Sequence, residues 1–177
     1  MRIIRGTWKG RRLNTPNNLP VRPTTDMAKE ALFNVLENHY DLDELTVADL
    51  FSGTGSISYE FASRGAKKVV SVEQNFKCTE FISRTKDLLK IGNLQVIRSD
   101  VFLFLKKTST PFDIIFADPP YDLPSLDSLP GLVFEGNLLN EGGVFILEHP
   151  DTFDFSQHPN FSQHRNYGKV NFSFFGK

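Results

Sequence analysis

Cysteine is almost absent: Cys78 stands alone among 177 residues. A single thiol excludes an intramolecular disulfide and leaves no basis for a Cys-built metal site. Cys78 falls within an expected amphipathic helix, where a buried structural thiol is the reading. The four histidines, His39, His149, His158 and His164, lack metal-ligand spacing, so no metal is expected. His149 follows an expected strand, and a structural role is expected of it. No apolar run reaches membrane-spanning length, and the N-terminus carries no apolar signal region. A soluble, cytoplasmic protein without membrane contact is expected. Internal repeats and low-complexity tracts are missing too. An excess of one charge is missing overall, with a formal net charge of −1.

The distribution of charge is uneven. Residues 1–29 hold Arg2, Arg5, Lys9, Arg11, Arg12, Arg22 and Lys29 against Asp26 alone. A basic arm on an acidic body suits a phosphate-rich partner, because each cation at a phosphate releases condensed counterions. A solvated tail is the alternative. The length fits one domain with a sizeable core. The 17 phenylalanines could be core or stacking surfaces, and their number does not decide between them.

The opening segment reads as two short strands around a Gly-bounded turn, and 14–23 as a Pro/Asn-rich loop. Thr24, Thr25 or Asp26 caps a helix carrying Ala28, Ala31, Leu32, Val35 and Leu36 at helical spacing. An alternation follows: strand 46–51, helix 56–64, strand 68–73, a helix capped at Asn75, strand 94–97, helix 101–106 and strand 112–117. The Asn75 helix should bury Phe81, Ile82, Leu88 and Leu89 and stop at Gly92. A helix within 125–139 and a strand at 143–148 come next. Near-continuous apolar strands separated by helices imply a parallel sheet covered on both faces. At the end, 161–167 and 169–175 flank Gly168 without a helix between them, an antiparallel hairpin.

In open α/β sheets ligands bind at the carboxyl ends of strands. The first strand runs into Asp49-Leu50-Phe51-Ser52-Gly53-Thr54-Gly55. Two glycines allow a tight turn and close approach of a ligand. Glu73 ends the second strand, where a carboxylate can accept both ribose hydroxyls of a nucleoside. A dinucleotide fingerprint would need a small Gly or Ala where Ser58 stands. Asp49 suits a cationic amino group better than a pyrophosphate, and S-adenosylmethionine (SAM) carries such a cation. Asp100 could contact an adenine amine, with the Val101 amide facing a ring nitrogen, or cap the next helix; both can hold.

The fourth strand runs into Asp118-Pro119-Pro120-Tyr121. Two prolines fix φ and remove two donors. The Asp118 carboxylate and Pro119 carbonyl then form a rigid rim of acceptors. Gripping both hydrogens of a conjugated NH2 aims its lone pair at an incoming carbon, so orientation supplies most of the catalysis. Tyr121 can stack on an extruded base.

Both motifs together resemble the amino-methyltransferase superfamily. Arg22-Pro23-Thr24-Thr25-Asp26, Asp49 to Gly55, Ser63-Arg64-Gly65-Ala66 and Asp118 to Tyr121 resemble the bacterial 16S ribosomal RNA guanine-N2 methyltransferase family, the RsmD family. Met1 to Gly6 and the Tyr167-Gly168 hairpin fit as well. The resemblance implies an α/β, Rossmann-like fold: a mostly parallel seven-stranded sheet with an antiparallel terminal strand and an N-terminal β-hairpin arm. The arm is expected at 1–23 and the methyltransferase domain at 24–177. Methyl transfer from SAM to guanine N2 is implied, yielding S-adenosylhomocysteine, by a monomer acting on an assembling 30S subunit. Asp118, Pro119 and Tyr121 would be catalytic. Asp49, Phe51, Ser52, Gly53, Gly55, Glu73, Gln74, Asp100, Val101 and Asp118 would bind the cofactor. Arg2, Arg5, Lys9, Arg11, Arg12, Arg22, Thr24, Pro120 and Tyr121 would meet RNA. Met27-Ala28-Lys29 departs from the family's Arg-rich stretch after Thr-Thr-Asp, and the acidic body shifts more of the RNA binding onto the arm. DNA adenine-N6 or protein-glutamine methylation, and a nucleotide-binding protein of another class, remain alternatives.

Overall fold

From Thr46 onward apolar strands and helices alternate, and the computed structural model, which describes residues 1–16, 19, 21 and 25–177, assembles the strands into one sheet. The elements are α1 (Asp26–Glu37), β1 (Thr46–Leu50), α2 (Ser56–Ser63), β2 (Lys68–Glu73), α3 (Phe76–Leu89), β3 (Leu94–Arg98), α4 (Val101–Lys107), β4 (Phe112–Ala117), α5 (Leu129–Glu135), β5 (Leu139–His149), β6 (Phe161–Tyr167) and β7 (Val170–Gly176). A 3-10 turn, Leu126–Ser128, precedes α5. The strand order is β3-β2-β1-β4-β5-β7-β6. β1 to β5 run parallel, and β7 pairs antiparallel with both β5 and β6. The parallel strands and the antiparallel end are those expected from the alternation, and the seven-stranded, Rossmann-like arrangement is the one the family resemblance implied.

Alternate side chains of each strand feed two cores. Val47, Val69, Ile114, Phe116 and Ile146 enter the core shared with α1, α2 and α3. Ala48, Val70, Ile115, Phe145 and Leu147 enter the core on the other face. α1 is capped by Thr25, whose hydroxyl accepts from the Ala28 amide at 3.3 Å. α3 is capped by Asn75, as expected. Its far end differs from expectation: Lys90, in a left-handed conformation, closes the helix two residues before Gly92. Leu88 turns outward, 78% exposed. Ile82 is buried as expected, together with Cys78, Thr79 and Thr85, and Phe81 and Leu89 pack partly buried against the same core; the 100° step per residue carries position 88 past that face. β5 begins at Leu139 rather than 143, since Glu141-Gly142-Gly143 forms an irregularity within the strand and not a turn before it.

All eight residues of α2 are buried. The N-terminal arm explains this, because it lies along the outer face of the helix. The arm closes as a narrow hairpin with one bridge, Arg2 to Arg12. Ile3 donates to the Arg11 carbonyl at 3.0 Å and Leu13 to that of Met1 at 2.9 Å. Ile3 and Leu13 are buried, each contributing roughly 1.5–3 kcal/mol. At the hairpin tip, a Cβ on Gly6 would stand 1.7 Å from the Ser63 carbonyl oxygen, so only glycine fits. The Trp8 indole donates to the Leu89 carbonyl at 3.0 Å. The tip therefore sits at the C-terminal end of α2. The open end lies at the start of that helix, where the Thr54 hydroxyl meets Met1 Sδ.

A buried charge network fastens the arm. Glu60 accepts the Ile4 and Arg5 amides, each at 3.0 Å, and pairs with Arg64 at 2.8 Å. Lys29 Nζ lies 3.6 Å from Glu60 and donates to the Arg2 carbonyl at 2.6 Å. Both Lys29 and Glu60 are fully shielded from solvent. Among the described residues no helix is long and apolar enough to cross a membrane.

Candidate active site

The strand order reverses at β1, which has β2 on one side and β4 on the other. At such a switch point the two crossovers diverge and leave a crevice beyond the carboxyl ends of the strands. The glycine loop leaves β1 and Asp118-Pro119-Pro120-Tyr121 leaves β4, so both expected motifs open into one crevice. They touch there: the Asp118 amide donates to the Leu50 carbonyl at 3.4 Å.

The loop turns sharply. Phe51 takes a left-handed φ of 57°, which costs a non-glycine residue on the order of 1–2 kcal/mol. Gly55, at φ 80°, caps α2 without a side chain, and a Cβ there would come within 2.9 Å of the Tyr59 ring. Glu73, nearly buried, spans the turn: Oε2 accepts from the Gly53 amide at 2.9 Å and Oε1 from the Asn75 amide at 2.8 Å. A carboxylate has about four lone-pair sites, so acceptor capacity for hydroxyls remains. The Ser52 hydroxyl accepts from that of Ser71 at 2.7 Å. Gln74 is exposed beside Glu73. Asp100, exposed, caps α4 by accepting from the Leu103 amide at 2.9 Å, and Val101 is buried. The helix-cap half of the Asp100 expectation is thus visible.

Three carboxylates share the same face of the sheet. Asp49, Asp118 and Glu148 follow Val47, Phe116 and Ile146 by two residues along β1, β4 and β5, and those three belong to one core. The β4–β5 register pairs Ala117 with Leu147, which sets Asp118 alongside Glu148. Asp49 lies beneath the loop, 1% exposed, and accepts from the Ser58 hydroxyl at 2.5 Å. Ser58, the residue that breaks the dinucleotide fingerprint, is thereby tied to the strand end that leads into the glycine loop. Burial pushes the Asp49 carboxyl up to about 7. Burial, then the neighbouring Glu148 and Asp49 charges, hold Asp118 well above the usual carboxylate range. Glu148 is 6% exposed and burial pushes it up to about 7. Its Oε1 accepts from the Tyr121 hydroxyl at 3.1 Å, and its Oε2 has no partner among the described residues. Tyr121 is otherwise 45% exposed, Pro120 is exposed and Pro119 is buried.

Sequence reasoning missed Glu148. Its only signal is a carboxylate ending an apolar strand, the same signal that marked Glu73. His149 lies on the opposite face, bonded to the Pro150 carbonyl and the Ser173 hydroxyl, and is structural.

The arm cations fall into two groups. Arg2 pairs with Asp26 at 3.3 Å and Arg5 with Glu37 at 2.7 Å. Lys9, Arg11 and Arg12 are exposed with no ion pair among the described residues. Arg11 and Arg12 return toward the loop, whereas Lys9 sits at the tip, about 12 Å away at 1.5 Å per residue of α2. Arg22 and Thr24 lie outside the described residues. Lys29 is wholly buried in the charge network.

The carboxylate cluster sets a pH dependence. Glu148 titrates near 4.5 when unfolded and about 7 when folded, so the folded state binds more protons in between. Its favourable contribution is complete below about pH 4.5 and is lost as pH rises through about 7. The stability of the ligand-free protein relative to Glu148→Gln should therefore fall between pH 4.5 and 7 and level off above. Thermal melts of both proteins across that range measure it; a flat difference would refute the shift.

Comparison with known proteins places these features in context. The family model described as conserved hypothetical protein 95 matches residues 1–176. Ribosomal RNA small subunit methyltransferase D of Escherichia coli K12 is 32% identical over 148 residues, covering 84% of this chain and 74% of that protein. The structure of yhhF from Escherichia coli superposes with a TM-score of 0.88 at 27% identity, covering 100% of this chain and 97% of that one. The Thermus thermophilus 16S rRNA N2 G1207 methyltransferase RsmC, in complex with AdoMet and guanosine, shares the fold, with a TM-score of 0.70 at 23% identity. That match covers 90% of this chain and 45% of the other.

Proposed function

Because the chain belongs to the RsmD family, described as conserved hypothetical protein 95, we propose that it methylates the exocyclic N2 of a guanine in small-subunit ribosomal RNA. The observation that carries this reading is the meeting of Asp118-Pro119-Pro120-Tyr121 with the glycine loop at the switch point of the sheet. Together they put an amine clamp beside a nucleoside cradle.

SAM is the donor, and the residues fit it. The ammonium of SAM suits the buried Asp49 carboxylate and its sulfonium the neighbouring Asp118; burial raises the proton affinity of both carboxyls. When bound, SAM supplies an electrophilic methyl on sulfur. Glu73 receives the ribose hydroxyls, and Phe51, Ser52, Gly53, Gly55 and Gln74 shape the cradle. Asp100 and Val101 face the adenine. Asp118 and the Pro119 carbonyl hold the two hydrogens of guanine N2, and Tyr121 stacks on the ring, with Pro120 beside it. With SAM held there, its methyl would pass from sulfur to N2, and N2 would then release one proton. Orientation of N2 in line with the breaking bond is the main contribution of the protein.

Residues 1–23 act as the RNA-gripping arm, with Arg2, Arg5, Lys9, Arg11, Arg12 and Arg22 as its cations, and 24–177 as the methyltransferase domain, from which Thr24 adds to the RNA contact. The protein works as a cytoplasmic monomer on a partly assembled small subunit.

Labelled SAM and small subunits from a strain lacking the enzyme test the reading. Methyl label should map to guanine N2; label confined to adenine, DNA or protein would overturn it. In the same assay, changing Arg11 and Arg12 together to glutamine should weaken RNA binding and lower the slope of log affinity against log salt by roughly 1.5. An unchanged slope would reduce the hairpin to a structural cover of α2.

A further inference from the structure

We propose that Glu148 reads the N1–H of the target base through its unpartnered carboxylate oxygen, and so makes the site a guanine site. The proposal rests on the function just stated and adds the residue that selects the base. Three observations carry it. Glu148 is more than nine-tenths buried, with Oε2 unpartnered among the described residues. It stands next to Asp118 across the β4–β5 register, on the same face. Its other oxygen is held by the hydroxyl of Tyr121, the residue proposed to stack on the base. A buried acceptor without a donor is costly, so it implies a donor that arrives with a ligand.

The chemistry of the bases then decides which ligand. An NH2 held by Asp118 and Pro119 brings its ring neighbours to the adjoining wall. In guanine, one neighbour of the 2-amino group is N1–H, a donor. In adenine and cytosine the corresponding ring nitrogens are acceptors, and a side-chain amide of glutamine offers a carbonyl oxygen there. A carboxylate beside the clamp therefore bonds guanine and repels the others. Selectivity of this kind is steep, because the wrong base leaves buried polar groups facing each other unpaired. The Tyr121 bond fixes the carboxylate rotamer, so one tyrosine both covers the base and aims its reader.

2-Aminopurine separates this role from the others: it keeps the 2-amino group but has a bare acceptor at N1. Small-subunit RNA carrying 2-aminopurine at the mapped guanine is compared with unmodified RNA, using wild type and Glu148→Gln. Wild type should prefer guanine by at least roughly a hundredfold in kcat/KM. Glu148→Gln can turn its amide nitrogen toward N1, so its preference should shrink to within about tenfold or invert, with SAM affinity changed less than about tenfold. Equal losses on both RNAs would overturn the proposal, as would a large loss of SAM affinity, which would assign Glu148 to the cofactor. If the variant does not fold, wild type alone still decides, since equal turnover of the two RNAs excludes N1–H readout. Failure of wild type to methylate any guanine would instead remove the proposed function.

Discussion

Asp118→Ala is expected to lower kcat about a hundredfold to a thousandfold, the cost of removing one preorganised hydrogen bond aimed at a reacting atom. Asp118 has the position for that role, at the switch point and beside the glycine loop. SAM affinity should change less than about tenfold, about 1.4 kcal/mol, because Glu73 and the loop amides remain. Stability should hold or rise. Asp118 is a buried carboxylate crowded by Glu148 and Asp49, and removing it relieves like-charge repulsion. Lost turnover could not then be ascribed to unfolding. Single-turnover rates, calorimetry with SAM and thermal melts are the measurements. Wild-type turnover in the variant would rule out the clamp.

Glu60→Ala is expected to destabilise the protein by about 3–5 kcal/mol. Glu60 receives two arm amides, Arg64 and the neighbourhood of Lys29, with Glu60 and Lys29 themselves out of solvent. Truncation leaves the Lys29 ammonium buried without its carboxylate and two amides without acceptors. For a domain of this size that lowers the melting temperature by roughly 6–20 °C. Protease susceptibility should rise first around residues 1–13, because the arm loses its fastening before the sheet does. A loss below about 1 kcal/mol would mean that the arm is held by Ile3 and Leu13 alone.

What the sequence revealed and what it hid divide along a physical line. Strand periodicity, Gly-bounded turns and caps are local, so β1, β2, β4, β6 and the Asn75 cap can be read in one dimension. Asp118 and the glycine loop sit in local motifs and were equally legible. Glu148 was not. It borders Leu147 and His149 in the chain, and only the order β1-β4-β5 brings it beside Asp118. Lys29 lies one residue past the apolar position Ala28 and reads as a solvated face. It is buried because Glu60 and the Arg2 carbonyl, both distant in sequence, meet it inside. The full burial of α2 has the same origin, since nothing in Ser56 to Ser63 announces that residues 1–13 cover it.

β7 sits between β5 and β6, although it follows every other strand in the sequence. Among these seven strands, the last to leave a ribosome is thus an inner one. Until Val170–Gly176 emerges, the long strand Leu139–His149 keeps an open hydrogen-bonding edge, the kind of edge that recruits other chains. Closure also joins Glu148 to Phe172 and His149 to Asn171, locking the end of β5 that carries the third carboxylate. Pairing of these strands during synthesis is therefore completed beside Glu148, and a nascent chain halted before residue 170 would hold Asp118-Pro119-Pro120-Tyr121 and the glycine loop without a settled wall beside them.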